Sequence, residues 1–204
     1  MANPMPLQHG RFYHIYNRGI NGENLFVEAR NYSYFLQLYT HHLHPVVDTY
    51  AYCLLGNHFH LLIRVKTEQE LADLSDDENL AEFDLAKPPS QYFSNLFNAY
   101  TKAINKMYRR TGALFERPFR RIEVGGREYF KRLVIYIHRN PEHHNFVDDF
   151  REWPYSSYDA LRTTKPTKLQ REIVLDWFDG SDIFVAGQQM TTTLPAPLAL
   201  EDGF

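Results

Sequence analysis

Along this chain the alternation of apolar and polar positions changes period, and each change marks an element. "RFYHIYNRG" at 11–19 is rich in aromatic and β-prone residues and lies between Gly10 and Gly19, which predicts a first strand. "NYSYFLQLYTHHL" at 31–43 sets Tyr32, Phe35, Leu36, Leu38, Tyr39 and Leu43 near helical spacing, with Asn31 as N-cap and Pro45 behind it. "DTYAYCLLG" at 48–56 and "NHFHLLIRVK" at 57–66 predict two strands joined tightly at Gly56–Asn57. Residues 90–112 form a long amphipathic helix with Phe93, Leu96, Phe97, Tyr100, Ile104 and Met107 on one face, Ser90 capping it and Gly112 ending it. "ALFERPFRRIEVGG" at 113–126 predicts an extended arm and a strand bulged at Pro118, and "REYFKRLVIYIHRN" at 127–140 a helix stopped by Pro141. The order strand, helix, strand, strand, helix, strand, helix implies an α+β fold: a ferredoxin-like, RNA-recognition-motif-like antiparallel sheet with helices packed on one face.

Two stretches break this pattern. Residues 67–88 are acidic and end at Pro88–Pro89, so we take them as an insertion with a short helix at best. "REWPYSSYDAL" at 151–161 is aromatic and is expected to pack back on the domain, whereas the tail through "TTTLPAPLALEDGF" lacks a period. The expected organisation is a domain over 1–161 and an extension over 162–204 without an assigned role. A length of 204 residues suits that arrangement and can bury a sizeable core. No apolar run is long enough to span a membrane, and the N-terminus lacks a signal pattern. The single cysteine, Cys53, excludes an intrachain disulfide, reads as a small core residue and fits a reducing cytoplasm.

The net charge of −3 hides a strong local asymmetry. Residues 68–84 carry Glu68, Glu70, Asp73, Asp76, Asp77, Glu78, Glu82 and Asp84 without a basic residue. Between 99 and 140 the cations dominate, interleaved with Tyr100, Tyr108, Phe115 and Phe119. That interleaving suits a phosphate backbone with stacked bases. Lys102, Lys106, Arg109, Arg110, Arg117, Arg120, Arg121, Arg132 and Arg139 are the candidate contacts to such a backbone, against the plainer reading of a solvated face.

Within "CLLGNHFHLLIRV", His58 and His60 are two apart on a strand and therefore share one face, while Phe59 and Leu61 point to the other. Two such imidazoles can hold one divalent ion if a third ligand is supplied, although a lone His-x-His is more often a pair of ordinary strand histidines. One cysteine excludes a thiolate zinc site. "HHLH" at 41–44 and "EHHN" at 142–145 read as surface histidines, with His143 able to approach the site. On the later helix Tyr136 and Asn140 are four apart and share a face. The amide oxygen offers a third metal ligand and the phenol a nucleophile toward phosphate, against the reading of Tyr136 as one packing residue among 14 tyrosines.

"YHIYNRG", "YAYCLLGNHFHLLIRV", "RRTGALFERPFRR", "YIHRNPEHH" and "WPYSSYDAL", in that order over about residues 11 to 161, resemble the single-tyrosine transposases of the insertion-sequence type. They are most similar to the REP-associated tyrosine transposases, a branch of the His-hydrophobe-His (HUH) endonucleases. The resemblance implies a ferredoxin-like sheet whose strand histidines, here His58 and His60, hold Mg²⁺ or Mn²⁺. It implies Asn140 as a further ligand, where insertion-sequence members have glutamine, and Tyr136 as the nucleophile. The chain departs from the pattern at Gly56, where relatives usually have proline, in the length of the acidic insertion, and in the uncovered tail.

The implied reaction cleaves and rejoins single-stranded, hairpin (REP-like) DNA through a 5′-phosphotyrosine, in a cytoplasmic, nucleoid-associated protein with no membrane partner. A monomer is favoured over the homodimer of insertion-sequence relatives. The alternatives are a domesticated single-stranded nucleic-acid-binding module without cleavage activity, and a metal-dependent phosphodiesterase that activates water.

Overall fold

The computed structural model of the chain describes residues 4–74 and 87–189. Its centre is a four-stranded antiparallel sheet of β1 (Phe12–Arg18), β2 (Val47–Leu54), β3 (His58–Val65) and β4 (Arg120–Val124), in the order β2-β3-β1-β4. The helices are α1 (Ala29–Leu43), α2 (Glu68–Leu74), α3 (Pro89–Tyr108), α4 (Arg127–His143), α5 (Tyr158–Arg162), α6 (Arg171–Trp177) and α7 (Ser181–Gly187). The α+β class and the antiparallel sheet are as the periodicity predicts.

The two faces of the sheet are covered differently from expectation. α1 and α3 cover one face, where Tyr13, Ile15, Phe59, Leu61, Ile63 and Val65 meet Phe35, Tyr39, Phe93, Leu96 and Tyr100. Helices do not stop at that face. α4 lies across the other, where Leu133, Val134 and Ile137 pack with Tyr50, Cys53, Leu62 and Val124. The reason is in the strands: Leu62 on β3 and Cys53 on β2 leave an apolar patch on the second face that an uncovered sheet would expose to water.

Several boundaries move. α1 begins at Ala29 with Glu28 as N-cap, and the predicted cap Asn31 is instead buried one turn in, where its Oδ1 accepts from Val27 N at 2.9 Å and Glu28 N at 3.0 Å. α3 begins at Pro89, so Ser90 lies inside its first turn and Pro88 precedes it. Arg109, and not Gly112, ends α3 by adopting the left-handed conformation at φ 53°. Met107 is 43% exposed, unlike the other residues assigned to its face. β4 starts beyond Pro118 without a bulge there, and the sheet irregularity falls on β2 between Thr49 and Ala51. α4 runs through Pro141 to His143, because a proline in the last turn removes only one backbone donor.

The acidic stretch starts as α2, tied down by Arg64, which bonds both Glu70 and Asp48; residues 75–86 lie outside the described residues. The aromatic segment 151–161 packs back as expected. Trp153 Nε1 donates to Leu54 O at 2.9 Å, and Leu54 N donates to Tyr155 O at 2.9 Å, covering the β2 edge. Beyond 162, where the sequence shows no period, α6 and α7 bring Val174, Trp177, Phe178 and Phe184 into the second core. Buried His138 on α4 joins this region, with Nδ1 3.0 Å from Gln188 Oε1 and Nε2 2.8 Å from Ser157 Oγ.

Candidate active site

Strand pairing sets the site out in rows. Antiparallel register puts Arg18 of β1 opposite His58 of β3, and Tyr16 opposite His60, while Arg120 of β4 flanks Tyr16 on its other side. Period-2 alternation then places Phe12, His14, Tyr16 and Arg18 on the same face as His58 and His60. α4 crosses this face and brings Tyr136 over the imidazoles. The Tyr136 ring lies 5.5 Å from His60 and 6.2 Å from His14, both edge-on. His144, just past the end of α4, meets His58 at 4.7 Å between rings. Tyr16, Arg18, His58, His60, Arg120, Tyr136 and His144 line a cavity of about 310 Å³ that also takes in Asn57, Glu116 and Phe146, while His14 lies buried behind His60.

Both strand histidines are held neutral. Burial is the first cause for His58, whose pKa falls to about 4 with help from neighbouring His144 and Arg18 and against the Asn140 carboxamide. His60 is pushed well below its ordinary value by burial and then by His14, His58 and His144. Each Nδ1 is engaged: His58 Nδ1 lies 2.7 Å from Asn57 Oδ1, and His60 Nδ1 lies 3.0 Å from His14 Nε2. An amide oxygen only accepts, so His58 carries its proton on Nδ1 and keeps the lone pair on Nε2.

The sequence-predicted ligands fit a divalent cation chemically. His58 and His60 supply neutral nitrogens 5.3 Å apart between ring centres. Asn140 is fully buried, its amide nitrogen donates to Tyr136 O at 3.2 Å, and its Oδ1 has no hydrogen-bond partner of good geometry among the described residues. The same carboxamide acts on His58, so an amide oxygen and an imidazole nitrogen adjoin, both donors of a kind that divalent cations accept. Among the described residues no group of three or more His, Cys, Asp or Glu is arranged for a metal.

The nine basic candidates scatter. Arg120 is the one of them that lines the histidine cavity. Arg117 and Arg121 line an adjoining groove of about 640 Å³ between α3 and the 113–121 arm, and Asn17 and Glu116 border both spaces. Lys102, Lys106 and Arg109 are exposed on or just beyond α3, and Arg110 is drawn to Glu23. Arg132 is exposed on α4. Arg139 bonds Glu142 at 2.6 Å and lines a separate hollow with Asp148 and Asp149.

Sequence reasoning missed Arg18, His14, Asn57 and His144. Arg18 is the other cation lining the cavity, held by Glu116 at 2.6 Å. Its signal was available: in "YHIYNRG" every second residue after Phe12 is a histidine, a tyrosine or an arginine, a polar face opposite an apolar one. His144 was assigned to the surface with its neighbours, and only the tight turn after α4 brings it to His58.

No family profile matches the chain. A curated protein of Haemophilus influenzae, described as a putative REP-associated tyrosine transposase, is 28% identical over 118 residues, which span 56% of this chain and 61% of the relative's length. A solved structure of a REP-associated tyrosine transposase bound to a REP hairpin has the same fold, with a TM-score of 0.59 over 78% of this chain and 84% of that one at 13% identity. The ordered motifs, the curated relative and the common fold converge on one likeness: the chain is similar to the REP-associated tyrosine transposases.

Proposed function

We propose that the chain is a transposase-type strand transferase that cleaves and rejoins single-stranded DNA, recognising a hairpin of the REP kind. One observation carries this reading: the Tyr136 phenol ring, one helical turn before Asn140, lies against His60 in a cavity that also holds Arg18 and Arg120.

In the proposed step the Tyr136 oxygen attacks phosphorus, a 5′-phosphotyrosine bond forms, the P–O3′ bond breaks, and the departing 3′ oxygen takes up a proton. Rejoining reverses this, so the phosphodiester energy is retained and no nucleotide cofactor is consumed. A free phenol has a pKa of about 10, and its attack therefore needs a cationic setting. Arg18, braced by Glu116, and Arg120 supply it and hold the phosphate between β1 and β4. The groove that Arg117 and Arg121 line continues from the cavity and suits the backbone beyond the reacting phosphate. Mg²⁺ or Mn²⁺ held by His58, His60 and Asn140 would polarise a non-bridging phosphate oxygen. The phenol, both imidazoles and the amide come from one chain, which favours a monomer. Among the described residues no helix is long and apolar enough to cross a membrane, and a cytoplasmic, nucleoid-associated site of action suits a DNA substrate.

A second reading rests on the burial of Tyr136, which is 2% exposed. A phenol reached only through the cavity also suits a hairpin-binding module without chemistry. Labelled hairpin DNAs with single-stranded flanks, incubated with Mg²⁺, Mn²⁺ or a chelator, separate the readings. A strand transferase forms detergent-resistant adducts with metal that vanish in Tyr136→Phe while binding persists. A binding module forms none, and a hydrolase still cuts in the variant.

A further inference from the structure

Phe146 is the one phenylalanine among the described residues that stands exposed, at 40%, and it stands at the rim of the histidine cavity. Open apolar rings are usually mobile or incidental; this one is pinned from several sides. Its backbone nitrogen donates to Pro141 O at 2.8 Å, and Asn145 before it turns the chain through the left-handed region at φ 57°. Trp153 backs it at 5.5 Å between ring centres, and Trp153 is itself fixed through its bond to Leu54 O and its edge contact with Tyr155 at 5.6 Å. Gly56 leaves it room, since a Cβ there would come within 3.2 Å of the Phe146 ring.

We infer that Phe146 is a stacking platform for a nucleobase of the single strand next to the reacting phosphate. This rests on the strand-transferase reading above and adds to it a base-contacting position. Within the cavity Arg18 and Arg120 recognise phosphate, which carries no base identity, whereas a rigid ring at the mouth offers a π-face to whichever base follows that phosphate. A ring already fixed in place pays no ordering cost when the base arrives. Protein partners fit less well, because the ring borders a cationic, imidazole-lined cavity rather than a broad apolar patch.

The test is a cycle between protein and DNA. Wild type, Phe146→Leu, Phe146→Ala and Phe146→Trp are titrated with hairpins whose flank carries an abasic residue at one position at a time. At one position the missing base should weaken wild-type binding about tenfold, the worth of one base–ring stack. Phe146→Leu and Phe146→Ala should lose the same factor on intact DNA and be indifferent to the abasic change, while Phe146→Trp should retain the sensitivity. Phe146→Leu keeps the apolar bulk against Trp153, so its result does not hinge on folding. If every abasic position costs the leucine variant what it costs wild type, the platform is refuted and the strand-transferase reading survives. If wild type binds no flanked hairpin, both fall together.

Discussion

The two faces of the sheet are made from the same strands and serve opposite ends. On β3, Phe59, Leu61, Ile63 and Val65 enter a dry aromatic core beneath α1 and α3, while His58 and His60 turn toward α4 beside His14, Tyr136 and Asn140. One face gains free energy by removing apolar surface from water. The other spends some of it by burying imidazoles and an amide oxygen whose polar demands are only partly met. Buried polar groups concentrate where the chain has a reason to keep them, and the proposed strand transfer would supply that reason here.

The largest effect should separate the faces outright. Tyr136→Phe removes one oxygen and should abolish adduct formation by a factor of about 10³ or more, with hairpin binding and the denaturation midpoint nearly unchanged; an adduct that persists in gel assays would remove Tyr136 from the mechanism. Phe59→Ala, one residue from the histidines but on the dry face, should cost about 3–5 kcal/mol of stability by equilibrium denaturation, and its loss of activity should follow unfolding alone.

Acid should act on the polar face. His58 and His138 are held at about 4 and His60 well below its usual value, each primarily by burial. These groups stay neutral in the fold, whereas the unfolded chain takes up their protons below about 6.5. Their contribution is therefore fully present above about pH 6.5 and is lost as pH falls toward about 4. Denaturation midpoints across that range should decline, and a flat profile would mean these imidazoles are not buried in solution. The smallest effect is at the cavity mouth. Arg18→Gln should weaken hairpin binding several-fold across unrelated flank sequences and lower the slope of log affinity against log salt by about 1, whereas Lys102→Gln on exposed α3 should do less.

Much of this could be read before any coordinates. Periodicity located each strand of the sheet and the helices α1, α3 and α4, because burial on one side imposes a period of 2 or 3.6 on any such element. Helix ends were the weakest readings. Asn31, Ser90 and Gly112 have the right chemistry for caps, but Glu28, Pro88 and Arg109 occupy those places, since a cap is chosen by where packing stops the helix. α6 and α7 escaped notice for a related reason: each is seven residues long, too short for a period to show, and each is held by tertiary contacts, Trp177 of α6 against Tyr50 of β2 and Phe184 of α7 against His138 of α4.

The ordering of elements, the pairing of His58 with His60 on one strand face, and the one-turn spacing of Tyr136 and Asn140 are local facts, and local geometry follows from residue order. That α4 lies over the histidine face, that Arg18 and His14 join from β1, and that His144 and Phe146 close the rim depend on strand order β2-β3-β1-β4 and on how α4 crosses it. Those are relations between residues distant along the chain, set by which apolar surfaces must be covered together, and no short window of sequence contains them.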